Sequence, residues 1–470
     1  MIDKTIHKLN TDTEECTCFD DYHMDMNKPR IKDIFWNNLE WIEKLDDEGI
    51  ARPCILDNIQ RTLLCKTLYL GYDAFDCDKC DNWIWLYRHC HSRFCSSCGI
   101  KLQKTLAVKA EVMCVDIRHR HMVFTIPKEY REYFRTDREA LNILFVASRN
   151  TLMKMFNKSL FDKVRRKRGY VSNIRDNYYL FRNYKDLNIF GEIATLHTFG
   201  RDLKWNPHIH ALVPELIYDS KKDEIRQITH FNYESLRKTW QYEVNRLLIE
   251  RFGKKKMQSL IDWSYRTKDN GFYVYAKADI KDDGKYINTN ISNNVKGCVN
   301  YMMRYAGRPV MAESRILSYS KHNDNVSWFY EDHKTEEKIT VNETGRKLLG
   351  KMIIHIPDEH FRMVRYYGFY NNKRNRVLDR INELLGTKRK REYVNTRRRK
   401  RLLEIKLDKL KYRTSIIDSY NRDIFKCECS GTFKYTYTYN PLEGKHNDRE
   451  YRRNCINEMR ALRLRGRSSP

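Results

Sequence analysis

Residues 196–213 read LHTFGRDLKWNPHIHALV, and this stretch decides how the middle of the chain folds. Ile189 to Thr198 and His208 to Val213 are apolar, β-branched runs separated by a polar turn, the pattern of two paired strands. Side chains at i and i+2 share one face of a strand, so His208 and His210 point the same way. Taken alone, an H-x-H pair also fits two satisfied imidazoles on a half-buried strand. His197, 11 positions before His208 and on the partner strand, lets the hairpin bring a third imidazole to the same point. Three imidazoles hold a divalent cation and leave coordination positions open, from which a phosphate can be polarised.

Working outward, residues 120–127 (RHMVFTIP) form a short β-branched and aromatic run closed by proline, which reads as another strand. Leu141 to Phe156 carries apolar residues at helical spacing, so the region alternates helix and strand and is of the α+β class. On the amino-terminal side a helix is expected from about Ile59 to Leu70, followed by a cysteine-dense segment. Cys77-x-x-Cys80 and Cys95-x-x-Cys98 are two knuckles, with Cys80 and Cys95 15 positions apart, close to the spacing of a four-thiolate zinc site. That spacing predicts one structural zinc on Cys77, Cys80, Cys95 and Cys98. Cys65, His89, Cys90 and His91 lie close enough to form a second site or to exchange into the first, and buried reduced thiols without metal are the alternative. Cys16 and Cys18 are read as plain thiols.

On the carboxy-terminal side stands YMMRYAGR, residues 301–308. Tyr301 and Tyr305 are at i and i+4 of an expected helix, so their hydroxyls fall on one face about one turn apart. An isolated pair of this kind is ordinarily two core or surface aromatics. Beside a metal-type histidine face, a tyrosine hydroxyl is also a nucleophile that conserves phosphodiester energy as a phosphotyrosine. Lys296, Arg304 and Arg308 flank the pair with positive charge. From Asn371 to Leu410 there are 15 Lys or Arg against 5 Asp or Glu, including the run Arg397, Arg398, Arg399 and Lys400 in an expected basic amphipathic helix that would grip phosphate.

The composition agrees with a polyanionic partner. Among 470 residues, 89 Lys and Arg oppose 62 Asp and Glu, a formal net charge of +27 that repels itself unless an anion such as nucleic acid is bound. An aromatic content of 13% is too high for a mainly disordered chain. No apolar signal core opens the sequence, so an intracellular chain is expected rather than a secreted disulfide scaffold, and no run reaches the ~20 residues of a membrane-spanning helix. The expectation is a cytoplasmic, nucleoid-associated chain whose 14 cysteines stay reduced and serve metal. The P-loop motif of an appended helicase is absent. Expected domains are an acidic mobile arm (1–33), a zinc-binding domain (34–110), a catalytic domain (111–320) with an extension (321–375), and a basic helical region with a tail (376–470).

Several separated stretches, in order, carry a family resemblance: CKTLYLG, YRHCHSRFCSSCG, RHMVFTIP, IATLHTFG, NPHIHALV, YMMRYAGRPVMAESRI and HIPDEHFRMVRYYGFY, spanning about Cys65 to Tyr370. The chain resembles the IS91-type rolling-circle transposases, the two-tyrosine members of the HUH single-strand endonuclease superfamily. The resemblance implies a ferredoxin-like antiparallel sheet with flanking helices, preceded by a small cysteine-rich zinc domain and followed by the basic helical region. It implies His208 and His210 as ligands of a catalytic Mg2+ or Mn2+, with His197 as third ligand and Glu192 in reserve, and Tyr301 and Tyr305 as nucleophiles. The implied reaction nicks and rejoins single-stranded DNA at transposon ends and target through a 5′-phosphotyrosine. A rolling-circle initiator or relaxase would use the same chemistry, and a zinc-dependent DNA-binding regulator would use none of it. Relatives often carry a further C-x-x-C near the carboxy terminus; this chain has Cys427-Glu428-Cys429 instead, and no second structural metal is expected there.

Overall fold

The computed structural model describes residues 29–92, 94–158, 188–228, 231–276, 299, 302–304, 307, 309–332, 335–371, 375–386, 423, 425–441 and 449–465. The chain divides into two compact units, one made of residues 1–100, 309–356 and 409–470, the other of 101–308 and 357–408.

The first unit opens with helices α1 (Ile31–Asn37), α2 (Leu39–Asp47) and α3 (Pro53–Leu64). Pro53 occupies the first helical position, where its missing N–H costs nothing, and Ile55, Leu56, Ile59 and Leu63 are buried along one stripe. The helix expected to reach Leu70 ends at Leu64, because Cys65 turns extended and Lys66 takes a φ of 59°. A hairpin follows, β1 (Tyr72–Cys77) and β2 (Trp83–Tyr87), and then α4 (Ser96–Met113) leads into the second unit.

The second unit contains β3 (His119–Thr125), α5 (Arg131–Thr136), α6 (Leu141–Phe156), β4 (Asn188–Ile189), β5 (Gly191–Phe199), β6 (Trp205–Pro214), β7 (Leu216–Asp219) and β8 (Glu224–Gln227). Helices α7 (Tyr233–Phe252) and α8 (Lys254–Thr267) and strand β9 (Val274–Tyr275) come next. The chain then returns to the first unit with the meander β10 (Ile316–Ser320), β11 (Asn325–Glu331) and β12 (Lys338–Thr344) and helix α9 (Gly345–Ile353). Strand β13 (Val364–Gly368) and α10 (Asn375–Leu384) belong to the second unit, and β14 (Phe433–Tyr439) and α11 (Arg449–Arg465) to the first.

The second unit is organised by a five-stranded sheet in the order β13-β5-β6-β3-β9 whose pairings are all antiparallel. Strict alternation sorts its side chains. Met122, Phe124, Ala194, Leu196, Ile209, Ala211 and Val213 join a core with Leu144 and Phe145 of α6 and Trp240 and Val244 of α7. Trp240 donates its indole N–H to the carbonyl of Thr125 at 2.7 Å, so the large ring is buried without an orphan donor. On the other face, Ile193 and Leu212 pack with Ala107 and Ala110 of α4, Val299, Met302, Met303 and Tyr370. His197, His208 and His210 are in phase with Ile193 and Leu212, on this second face.

In the first unit, β1 is the centre of a three-stranded antiparallel sheet, β14-β1-β2. Within the region expected to be helical and basic, residues 433–439 are therefore a strand, held by pairing with a segment more than 350 residues earlier. Helix α11 lies on α3, with Arg452 buried and ion-paired to Asp57. The basic stretch around Arg397 to Lys400 lies outside the described residues.

Candidate functional site

The histidine centre follows from register. β5 and β6 pair so that His197 stands directly opposite His208 and Thr195 opposite His210. His197 Nδ1 lies 3.3 Å from His208 Nε2, which lies 3.0 Å from His210 Nε2, and one ligand nitrogen from each ring falls within 4.8 Å of the others. All three are buried. At about 2.0–2.1 Å from a common cation, neighbouring imidazole nitrogens stand about 3.0–3.4 Å apart, and the observed separations meet that requirement.

The tautomers are set from behind. His208 Nδ1 donates to the carbonyl of Asn206 at 2.6 Å, which leaves its Nε2 lone pair toward the cluster. Nδ1 of His210 is 2.8 Å from Nε2 of His121 on β3, so the His210 ring is oriented by a fourth histidine. Burial holds His208 and His121 down to about 4 and His210 well below its ordinary range, aided for His210 by its neighbouring imidazoles. Neutral imidazoles are the ligand form. Thr195 is fully buried on the same face, and its hydroxyl has no hydrogen-bond partner among the described residues, an orphan polar atom beside the cluster. A proton on His210 Nε2 would close a metal-free chain to His208; a cation in its place would meet lone pairs from all three rings.

Glu192 is excluded from this centre. Five positions before His197, it lies on the opposite face of β5, where Ser148 of α6 donates to its Oε1 at 2.8 Å. Burial pushes its carboxyl up to about 8. Tyr301, Tyr305, Lys296 and Arg308 lie outside the described residues. Between the tyrosines, residues 302–304 are helical; Met302 and Met303 are buried in the cluster with Ile193 and Leu212, on the histidine side of the sheet, and Arg304 is exposed.

The two cysteine knuckles do not share one site. Cys95 and Cys98 meet Cys65 and Cys90, all buried, with Cys65–Cys98 and Cys90–Cys98 sulfur separations of 3.6 Å and Cys95–Cys65 of 3.7 Å. The backbone N–H of Cys90 donates to Cys65 Sγ and that of Ser92 to Cys90 Sγ, both at 3.4 Å, while His89 Nδ1 is 3.7 Å from Cys98 Sγ. Hydrogen bonding with Cys65 and Cys90 holds the Cys95 thiol down to about 6. Cys77 and Cys80 instead group with Cys427 and Cys429. The reason is the hairpin. Cys77 and Cys80 sit at its tip, Cys65 and Cys90 at its base, and the five residues of β2 span about 17 Å between them. Spacing along the chain cannot register that separation. Cys16 and Cys18 lie outside the described residues.

Residues 37–126 match the family model described as "Transposase zinc-binding domain", and residues 191–377 match that described as "Putative transposase". The "Transposase for insertion sequence element IS801" of Pseudomonas savastanoi pv. phaseolicola is 26% identical over 349 residues, 73% of this chain and 76% of the relative. The "Putative transposase y4qJ" of Sinorhizobium fredii (strain NBRC 101917 / NGR234) is 22% identical over 369 residues, 76% of this chain and 84% of the relative. The chain belongs to the IS91-type transposases. No solved structure matches this IS91-type chain. Its zinc-binding domain contains Cys65, Cys77, Cys80, Cys90, Cys95 and Cys98, whereas Cys427 and Cys429 fall outside both matched regions. No helix among the described residues is long and apolar enough to cross a membrane.

Two residues at the histidine cluster carried no motif in the sequence. His121 had a signal, since it is out of phase with the core residues Met122 and Phe124 and so belongs on the histidine face. Thr195 had none, because a threonine in a β-strand is unremarkable until its hydroxyl is found without a partner among the described residues.

Proposed function

We propose that this transposase nicks and rejoins single-stranded DNA through a 5′-phosphotyrosine in rolling-circle-like transposition. The observation that carries the reading is the convergence of His197, His208 and His210 on one sheet face, with the helical residues 302–304 packed on that same side. The donor set fits a divalent cation, and the orphan hydroxyl of Thr195 adds a polar group at its edge. Held by the three imidazoles, Mg2+ or Mn2+ would supply charge neutralisation at a non-bridging phosphate oxygen.

The remaining steps belong to the chain. Tyr301 or Tyr305 attacks phosphorus in line, the new tyrosine–phosphate bond replaces the phosphorus–O3′ bond, and the proton given up by the phenol is balanced by one taken up at the departing 3′ oxygen. A free phenol has a pKa of about 10, so Arg304, Arg308 and Lys296 are assigned to offset the charge that develops on phosphate. The phosphotyrosine keeps the bond energy, and attack by a 3′-hydroxyl reverses the exchange on a new strand. With two tyrosines four positions apart in the sequence, the second cleaves while the first still holds DNA. Arg397, Arg398, Arg399 and Lys400 are assigned to sequence-independent contact with the phosphate backbone.

The test is incubation with single-stranded oligonucleotides covering the ends of the element, followed by a denaturing gel. The wild type and at least one of Tyr301→Phe and Tyr305→Phe should trap DNA covalently, and the double variant should trap none. Adducts in the double variant, or a covalent phosphate mapped to another residue, would overturn the assignment. DNA binding with no adduct under any metal condition would leave the regulator reading in its place.

A further inference from the structure

We propose that Cys77, Cys80, Cys427 and Cys429 form a second four-thiolate site, filled by zinc, that fastens the carboxy-terminal hairpin to the tip of the β1–β2 hairpin. Their four sulfurs lie within 4.8 Å of one another, with Cys77–Cys429 at 3.4 Å and Cys80–Cys427 at 3.6 Å. Four sulfurs about 2.3 Å from a central zinc stand about 3.8 Å apart, so the arrangement needs only small adjustment to close a tetrahedron. These separations are far beyond the ~2.05 Å of a disulfide, and all four thiols are free.

Each pair is delivered by a turn built for the purpose. On one side the Cys77 N–H bonds to the carbonyl of Asn82 at 2.9 Å and the Lys79 N–H approaches Cys77 Sγ at 3.5 Å. On the other, the Cys427 N–H bonds to the carbonyl of Gly431 and the Phe433 N–H to that of Phe425, so Cys427 and Cys429 occupy a hairpin tip. Gly431 donates to Cys429 Sγ and the Asn82 amide to Cys427 Sγ, both at 3.4 Å, donors that favour sulfur in its anionic, metal-binding form. A Cβ at Gly431 would stand 2.4 Å from Cys77 Sγ and 3.1 Å from Cys429 Sγ, so only glycine lets the two tips close. Asp78 and Thr432 exchange two further hydrogen bonds across the junction.

Apolar burial does not explain the grouping. Cys77 and Cys80 are half-exposed and Cys429 is exposed, whereas cysteines that serve as small hydrophobes, such as Cys114 and Cys455, are buried singly. A closed tetrahedron of soft thiolates selects zinc over hard divalent cations. The ligands come from segments separated by 347 positions between Cys80 and Cys427, so the metal would fix an edge strand, β14, that folding must recover from the far end of the chain. Being exposed, this site should lose metal to a chelator before the buried cluster of Cys65, Cys90, Cys95 and Cys98. The proposal is independent of the catalytic reading.

The experiment uses the full chain. Elemental analysis should show Cys427→Ser/Cys429→Ser losing one zinc per chain, and cobalt substitution should show it losing one of two equivalents of thiolate-to-cobalt absorption. Cys427→His, which keeps a zinc ligand, should retain both. In the wild type, which needs no variant to fold, timed alkylation with mass mapping should find Cys427 and Cys429 protected by zinc and the first to become reactive on chelation. Wild-type zinc content in the double serine variant, or alkylation of Cys427 and Cys429 at equal rates with and without zinc, would overturn the proposal.

Discussion

The histidine face of the second unit and the buried thiolate cluster of the first solve opposite problems with similar means. In both, side chains from neighbouring elements converge out of water, and backbone groups behind them set their orientation. The difference lies in charge and number. Four thiolates would complete a tetrahedron around zinc and leave nothing open, making the metal part of the fold, whereas three neutral imidazoles would leave positions on a cation unfilled. The contrast teaches that a ligand set announces its role through what it leaves unfilled.

The largest effect is expected where metal and fold are inseparable. Cys98→Ser should abolish zinc binding at the buried cluster and unfold the surrounding module, because structural zinc contributes apparent binding free energies of about 10–16 kcal/mol to folding. Circular dichroism and zinc content check it. A variant that folds without zinc would break the comparison by making the cluster dispensable. Next, His208→Ala or His210→Ala should reduce oligonucleotide nicking by on the order of 10³, with DNA affinity and thermal unfolding nearly unchanged. His197→Ala should be equal or milder. If these variants instead unfolded the second unit, the histidine face would be structural like the thiolates.

Glu192 sharpens the contrast between the two faces of β5. Its carboxyl is raised from about 4.5 to about 8 by burial, so the folded state holds a proton that the unfolded state releases above about 4.5. Stability is therefore fully present below pH 4.5 and declines as pH rises through about 8. The shift sets a ceiling of about 5 kcal/mol. Glu192→Gln, which can still accept from Ser148, should remove this decline and stabilise the protein by about 2–3 kcal/mol at pH 9, read from denaturant unfolding at pH 6 and pH 9. An unchanged pH slope would show that Glu192 is ionised in the fold. The smallest effect is expected at His121, which touches the ligand His210 and not the cluster's centre. His121→Ala should raise the Mn2+ concentration needed for half-maximal nicking about 10–100-fold, and unchanged metal dependence would reduce His121 to a packing residue.

What the sequence by itself determined is what local backbone geometry dictates. The two-residue period of a strand places His208 beside His210, the short polar turn brings His197 opposite them, and a C-x-x-C turn presents two sulfurs together wherever it occurs. The tyrosine pair, read from helical spacing, the histidine context and the resemblance, lies outside the described residues. The tertiary structure decided which elements meet. It divided the two knuckles between different partners because a strand of about 17 Å separates the tip of a hairpin from its base, and it brought Cys427 to that tip across a sequence separation of 347 from Cys80, with Cys429 beside it. It turned Glu192 away from the histidines through strand parity and brought His121 to them through the register of β3 on β6. Short-range spacing is written in covalent geometry and survives in the sequence; the meeting of distant tips depends on strand pairing and core packing summed over the whole unit, which no local pattern records.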